Sequence, residues 1–143
     1  MSLNGSMKRA ADVLKFCAKS KGFDNIFSSL KLVAATQNKV MAEYVVKIEH
    51  CNHFGTLHGG FTATAVDFMT SLALIVDEED SRPGVSLNLS VNYMKALKVG
   101  DKVTLEGEVM RKGRSVAYTT ARILNEKGDL AAHGTHIKHL GHS

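Results

Sequence analysis

The sequence is poor in several residue types, and each shortage excludes a class of protein. It contains one proline, two cysteines and no tryptophan among 143 residues. So little proline, with no low-complexity run, argues against long disordered segments. Two cysteines are too few for a disulfide framework or a cysteine-based zinc site, which favours a reducing compartment. The apolar runs are far too short to cross a bilayer, so no membrane span is predicted.

The sequence also has little excess charge of either sign. Its net charge is only +4, and the basic residues are spread along the chain. Nucleic-acid-binding domains concentrate basic residues on one face, often with aromatic residues between them. The three tyrosines here are not interleaved with a basic cluster. The composition therefore excludes nucleic acid as a partner and favours anionic small molecules.

The length and the 44% hydrophobic content predict a single domain with a sizeable core. We interpret residues 1–6 as a leader or tag and residues 7–143 as the domain. The hydrophobic periodicity predicts helices over 7–19 and 59–76, and strands over 30–35, 39–49, 85–94, 102–110, 115–124 and 130–138. Short turns between the last four strands favour antiparallel pairing, so the fold class is α+β, with one long helix against a curled sheet.

Two of these elements carry face predictions. In the strand over 85–94, strict alternation predicts an apolar row and a polar row, the latter formed by Ser86, Asn88, Ser90 and Asn92. In the long helix, the sheet is expected to cover an apolar stripe formed by Phe61, Ala65, Phe68, Leu72 and Ile75. A second stripe is small and polar, formed by Gly60, Thr64, Asp67 and Ser71.

The start of the long helix carries the chemistry. His58, Gly59 and Gly60 open an otherwise apolar helix, which contains a single carboxylate, Asp67. Backbone N–H groups at a helix start are free to bind a developing negative charge, so Gly59 is the predicted oxyanion donor. A carboxylate among apolar residues is costly unless it is paired or does chemistry, so Asp67 is the predicted general base or nucleophile. Together they predict hydrolysis of an ester-like carbonyl.

The spacing of these two residues predicts a dimer. Asp67 follows Gly59 by eight residues, which corresponds to about 12 Å along a helix. One substrate carbonyl cannot contact both residues of the same chain. Two antiparallel helices in a two-fold dimer would bring Gly59 of one chain to Asp67 of the other.

The chain resembles the hotdog-fold acyl-CoA thioesterases of the PaaI-like group. The resemblance covers nearly everything after residue 7 and is carried by Asn52, Gly55–Gly60, Asp67, Pro83–Ser86, Tyr93–Met94 and Lys138–Gly141. It implies five or six antiparallel strands wrapped around the long helix, homodimers that usually pair into homotetramers, and cleavage of acyl-CoA to free acid and CoA. It implies no cofactor and no metal.

The resemblance also adds site residues. It implies that Asn52 holds the water or the thioester and that Ser86 positions water, whereas His58 either orients the carbonyl or caps the helix. The CoA contacts that it implies are Ser86, Asn88, Tyr93, Arg111, Lys112, Gly113, Arg114, Ser115, Val116 and His139. Arginines near a turn suit phosphate groups. The histidines at 133, 136, 139 and 142 alternate between strand faces and cannot converge on one metal.

Several points stay open from sequence alone. A medium- to long-chain acyl group is expected, although Phe54, Phe61, Phe68 and Met69 fit core packing as well as an acyl tunnel. The expected location is cytoplasmic, mitochondrial or both, and whether a lipid-binding protein is a partner is open. One alternative is a non-catalytic acyl-CoA-binding or lipid-sensing module. Another is an enoyl-CoA hydratase, which the position of Asp67 deep in the helix disfavours.

Overall fold

The structure, a computed structural model, describes residues 4–141. Its elements follow the predicted order of one helix, two strands, a long helix and four strands. They are α1 (Gly5–Lys19), β1 (Lys31–Ala35), β2 (Lys39–Val45), α2 (Gly59–Ile75), β3 (Val85–Tyr93), β4 (Lys102–Lys112), β5 (Val116–Leu124) and β6 (Leu130–His139), with short 3-10 helices at Phe23–Phe27 and Ile48–His50.

The six strands form one antiparallel sheet that packs against α2. Their order across the sheet is β1-β2-β4-β5-β6-β3. Two glycines allow the sheet backbone to approach the helix closely. A Cβ atom on Gly107 would collide with the Met69 carbonyl of α2, and one on Gly134 would collide with the Val66 side chain. The predicted α+β class and the sheet curled around one long helix are confirmed.

A bulge in β3 changes which of its residues share a face. Ser86 pairs with Lys138 and Asn88 pairs with Ile137, so Leu87 has no partner of its own in β6. One extra residue reverses the alternation on either side of it. Ser86 therefore faces α2, whereas Asn88 lies on the outer face of the sheet. The predicted polar row of Ser86, Asn88, Ser90 and Asn92 is wrong at its first member.

The strand β3 also forms one edge of the sheet. Within residues 4–141 it pairs with β6 on one side, and its other side is unpaired. Apolar side chains along it remain exposed, with exposed fractions of 66% for Val85, 58% for Leu87 and 57% for Tyr93. An apolar, unpaired edge of this kind is a template for association with another chain.

The second strand is shorter than its alternation predicts. The sequence indicated a strand over 39–49, but β2 ends at Val45, and Ile48 lies exposed in a 3-10 helix. The partner strand explains the difference, because Val45 pairs with Lys102, the first residue of β4. Beyond that point a loop contact from Val46 N–H to the Asp101 carbonyl replaces the ladder.

The apolar stripe of α2 is rotated relative to its prediction. Val66 and Met69, outside the predicted stripe, lie against the sheet glycines. Phe68, predicted to lie under the sheet, instead stacks on Phe27 of the first 3-10 helix, with ring centroids 4.4 Å apart. Phe68, Leu72 and Ile75 thus lie beside the N-terminal segment, whereas Phe61 still stacks on Tyr44 of β2.

The N-terminal helix begins before residue 7. Asn4 caps α1 by accepting a hydrogen bond from the Met7 N–H, and the buried Ser6 hydroxyl donates to the Val76 carbonyl at 2.8 Å. Residues 4–6 therefore continue the helix, while residues 1–3 lie outside the described part of the chain. The division at residue 7 stays a prediction.

Among the described residues, none of the helices has the length and apolarity that a bilayer crossing requires.

Candidate active site

The N-terminus of α2 carries the predicted oxyanion donor. Gly59 is the first helical residue, so its N–H has no carbonyl one turn earlier to bond. His58 caps the helix, because its Nδ1 accepts the Gly60 N–H at 2.8 Å. Of the two roles predicted for His58, the structure shows the capping of the helix. Tyr93 lies beside this turn and donates its hydroxyl to the Gly59 carbonyl at 2.7 Å.

The loop before α2 is organised by Asn52. Its Oδ1 accepts the N–H groups of Phe54 at 3.0 Å and Thr56 at 3.2 Å, and its Nδ2 lies 2.8 Å from the Thr56 hydroxyl. These bonds form a side-chain-closed turn of the kind that asparagine favours. Within one protomer, Asn52 therefore shapes the loop that leads to Gly59, and its predicted contact with substrate stays a prediction.

Asp67 lies at the border of the face of α2 that the sheet covers, against His136 of β6. Its side chain is 46% exposed, so it is less buried than its apolar sequence neighbours suggested. Oδ1 accepts from the Ser71 hydroxyl at 3.4 Å and lies 3.7 Å from Nδ1 of His136. The carboxylate is thus held on one side and open on the other, as a group that must reach water or substrate requires.

His136 links Asp67 to Ser86. It is fully buried on β6, with Nδ1 2.8 Å from the Thr70 hydroxyl and Nε2 2.7 Å from the Ser86 hydroxyl. The Thr70 hydroxyl already donates to the Val66 carbonyl, so it accepts from Nδ1–H of His136. Nε2 then accepts the Ser86 hydrogen. This tautomer leaves the oxygen of Ser86 free to accept a hydrogen bond from water.

The bulge in β3 makes this contact possible. Because it turns Ser86 toward α2, the hydroxyl reaches His136, while Asn88 points to the opposite face of the sheet. Asn88 and Ser86, both predicted as CoA contacts, therefore do not share one surface. Sequence reasoning did not assign His136 to the site. The signal was present in β6, where alternation places Gly134, His136 and Lys138 on the face that packs on α2.

Burial lowers the pKa of His136 below its ordinary value of 6.5, and the nearby Asp67 charge opposes that shift. The folded state consequently binds fewer protons than the unfolded state below pH 6.5. By linkage, the free energy of unfolding falls as the pH drops from 6.5 toward the folded pKa.

We expect His136→Gln to lose part of this acid sensitivity. A single histidine contributes at most about 1.4 kcal/mol per pH unit across that window, and the variant should lack this contribution. Urea unfolding at pH 7.5 and pH 5.5 measures it, with the exposed His53→Gln as control. Equal losses of stability in wild type and His136→Gln would contradict the assignment.

The turn between β4 and β5 lies at the same end of the sheet as Ser86. Val116 and Val85 both pair with His139, and the Leu140 N–H donates to the Ser115 carbonyl. Gly113 closes the turn by donating its N–H to the Val116 carbonyl at 2.9 Å. A surface cavity of about 540 Å³ here is lined by Arg111, Gly113, Arg114, Ser115, Val116 and Tyr118. Five of the ten predicted CoA-binding residues thus line one cavity.

Lys112 does not join this group. Its ammonium bonds the Asp80 carbonyl and lies 3.3 Å from Asp77 Oδ2, and its side chain is largely buried. It therefore braces the loop after α2, and the prediction that it contacts CoA loses its basis. Arg82, which sequence reasoning missed, has the same bracing role, because it pairs with Asp80 and donates to the Arg114 carbonyl. Hydrogen bonds from Arg82 and the charge of Lys112 lower the Asp80 pKa.

The predicted site residues therefore fall into two groups within one protomer. Asn52, His58, Gly59 and Tyr93 lie at the start of α2, whereas Asp67 is at its middle, and Ser86, His139 and the 111–116 turn lie toward its other end. The histidines at 133, 136 and 139 alternate between the sheet faces as predicted, and position 142 lies outside the described residues. Among residues 4–141 no cluster of side chains suits a metal ion.

A long helix held by a six-stranded antiparallel sheet, with a free glycine N–H at its start and an open carboxylate within it, defines a hotdog-type thioester hydrolase. Residues 54–132 match the thioesterase superfamily, and the chain belongs to that family. The family and fold predictions are thus confirmed.

Three known proteins show how similar this chain is to individual members of the family. Human acyl-coenzyme A thioesterase 13 is 38% identical over 131 residues, which cover 91% of this chain and 93% of the human protein. The crystal structure of zebra fish thioesterase superfamily member 2 is similar with a TM-score of 0.89 at 37% identity, covering 98% of this chain and 100% of that one. A hypothetical thioesterase from Streptococcus pneumoniae TIGR4, crystallised with coenzyme A, has a TM-score of 0.80 at 26% identity and covers 92% of this chain and 97% of that one.

Proposed function

We propose that this protein hydrolyses fatty acyl-CoA to free fatty acid and CoA. The observation that carries the proposal is that the open carboxylate of Asp67 and a Ser86 hydroxyl, whose hydrogen is committed to His136, both lie against the His136 ring. A water molecule between them would donate one hydrogen bond to Asp67 and one to Ser86. Such a site activates water for attack on a carbonyl carbon.

In this reaction Asp67 takes a proton from the water molecule while the water oxygen bonds to the thioester carbon. The carbonyl oxygen becomes an oxyanion, which the Gly59 N–H at the start of a helix stabilises. When the oxyanion collapses, the carbon–sulfur bond breaks, and the CoA thiolate leaves and recovers the proton from Asp67. Direct attack by the Asp67 carboxylate is the second route, in which water then cleaves an acyl–enzyme anhydride.

The oxyanion donor and the base come from different protomers of a dimer in this proposal. Within one chain the two residues are about 12 Å apart along α2. The exposed apolar edge of β3 supports pairing with a second copy, since it carries both Ser86 and Tyr93. Joining two such edges would bring the Tyr93–Gly59 end of one protomer toward the Ser86–Asp67 end of the other. Pairing of dimers into a tetramer is part of the same proposal.

The cavity at the β4–β5 turn is the proposed site for the phosphate groups of CoA. Arg111 and Arg114 supply guanidinium groups, which suit bidentate phosphate contacts, and Gly113 keeps the turn narrow. The cavity lies at the Ser86 end of β3.

A groove between α1, the first 3-10 helix and α2 is the proposed site of a medium- to long-chain acyl group. It has a volume of about 270 Å³ and begins at Asp67 and Ser71 on α2. Its walls are mostly apolar, formed by Val13, Phe16, Cys17, Phe23, Phe27, Phe68, Leu72 and Ile75.

Two free thiols, Cys17 and Cys51, agree with the proposed cytoplasmic or mitochondrial location.

Release of the CoA thiol from acyl-CoAs of short, medium, long and aromatic chains tests this function. We expect turnover to rise from acetyl-CoA to medium and long chains, because each additional buried methylene contributes about 0.8 kcal/mol. Phe16→Asp, on the exposed side of the groove, should reduce turnover of long chains more than that of short ones. Tight acyl-CoA binding without turnover would instead indicate a lipid-sensing module.

A further inference from the structure

Lys138 is a buried cation beside the proposed base. It lies on β6, two residues after His136, and its register partner Ser86 and its own side chain face α2. Only 4% of the residue is exposed. Among the described residues, its ammonium has one hydrogen-bond partner, the Ser71 hydroxyl on α2.

The Ser71 hydroxyl connects this ammonium to Asp67. It receives the hydrogen bond from Nζ of Lys138 and donates its own hydrogen to Oδ1 of Asp67 at 3.4 Å. The two charged groups are therefore joined through one bridging hydroxyl instead of by a direct ion pair. An ion pair that is bridged in this way leaves the carboxylate free to accept a proton from water.

We infer that Lys138 is a positioning residue of the hydrolase site, whose buried positive charge acts through Ser71 to keep the Asp67 carboxylate anionic and oriented. The inference rests on the proposed function of Asp67 as the base. Its physical basis is that an acyl chain in the groove removes water from around Asp67, which disfavours the charged form. A fixed cation on the protein side of the carboxylate opposes this, and its field strengthens as water leaves.

Other charged groups around this pair do not replace Lys138. On β6 the neighbouring His136 is neutral at physiological pH, because burial lowers its pKa. On β4, Lys112 is committed to Asp77 and Asp80. The N-terminal segment contributes Asp24 and the Cys17 thiol, whose pKa burial and Asp24 raise, so it adds no positive charge to the groove.

A role in stability alone does not explain Lys138. Burying an ammonium is costly, and burial lowers its pKa while the Asp67 charge opposes that shift. Apolar residues of similar volume usually replace a buried ion without loss of stability. The chain therefore retains at this position a residue whose burial opposes folding and whose charge is directed at the base.

The test compares the pH dependence of kcat/KM for wild type, Lys138→Met and Ser71→Ala, with Lys127→Met on an exposed turn as the matched control. We expect the acid limb of Lys138→Met to move up by about one pH unit, the effect of removing one nearby opposite charge. Its kcat/KM should thus fall to about a tenth of the wild-type value at pH values below the limb and stay close to wild type at pH values above it. Ser71→Ala should move the limb in the same direction by less.

Two outcomes would overturn the inference. One is an acid limb of Lys138→Met that coincides with that of wild type. The other is a loss of equal size at every pH, which indicates a packing defect.

A second measurement separates this inference from the proposed function. The carboxyl carbon of Asp67, followed by NMR in protein labelled with 13C-aspartate, reports its titration without any turnover. An upward move of that titration in Lys138→Met supports the inference even if wild type hydrolyses no acyl-CoA, in which case only the proposed function fails. An unchanged titration in a folded variant contradicts the inference directly.

Discussion

Asp67→Asn is expected to lose about 10³-fold in kcat on the preferred acyl-CoA, since general bases contribute between about 10² and 10⁴. The amide keeps the shape and the hydrogen bond from Ser71 but cannot take a proton from water. KM should change little, because the 111–116 turn and the apolar groove are untouched. Steady-state CoA release with purified variant and wild type measures both constants. A variant that retains full turnover would exclude Asp67 as the base.

The same variant tests whether each site is shared between protomers. Asn52→Ala alters the loop that leads to Gly59, so its defect lies at the start of α2, about two turns from Asp67. Asn52→Ala is expected to be impaired as well, because Asn52 organises the loop that leads to the oxyanion donor. When the two impaired variants are mixed and their subunits exchanged, a hybrid dimer has one site with both defects and one with neither. We expect activity to return to a sizeable fraction of wild type. A mixture that stays inactive, with exchange demonstrated, would place each site within one chain.

Gly107→Ala is expected to destabilise the fold by about 3 kcal/mol, at the upper end of what overpacking costs. The added methyl group would lie well inside contact distance of the Met69 carbonyl, in the middle of α2. Neither backbone can give way easily, because one is held in a ladder between β2 and β5 and the other is part of a helix. Urea unfolding monitored by circular dichroism measures the loss.

Gly22→Ala is the matched control for this substitution. Its added methyl group would meet only the Ser20 hydroxyl, at 3.3 Å. We expect a change below about 0.5 kcal/mol, as for most exposed positions. If Gly107→Ala were equally mild, α2 would have to be able to lift from the sheet, and the close approach would not be required for folding.

Periodicity predicted the sequence of elements because each element buries one face. The alternation in β4, β5 and β6 and the apolar content of α2 left few alternatives, and the ends of α2 agree with prediction within a residue. The predicted end of β2 was wrong because a strand continues only as far as the strand it pairs with. Its partner is β4, which is distant in sequence. The predicted rotation of α2 about its axis was wrong because the rotation depends on two glycines in the sheet, Gly107 and Gly134.

The candidate site was predictable where its chemistry is local. The glycine at the start of α2 and the carboxylate within it lie in one short segment, so the sequence alone indicated both. His136 and Lys138 were missed because the alternation in β6 indicates only that they share a face, and not which residues of α2 they meet. Lys112 appeared available for phosphate because its partners, Asp77 and Asp80, are more than thirty residues away.

The unpaired Leu87 has a consequence for how this chain is compared with others. The side to which Ser86 points is determined by a count of residues, since a single extra position separates it from the regular part of its strand. In an alignment, a relative whose strand lacks that extra position must carry a gap there. Without the gap, Ser86 would be matched to a residue on the outer surface, and a serine with the same role in the relative would be matched to Leu87. Sequence conservation at position 86 can therefore be compared only after the structures have been superposed and equivalent strand positions matched.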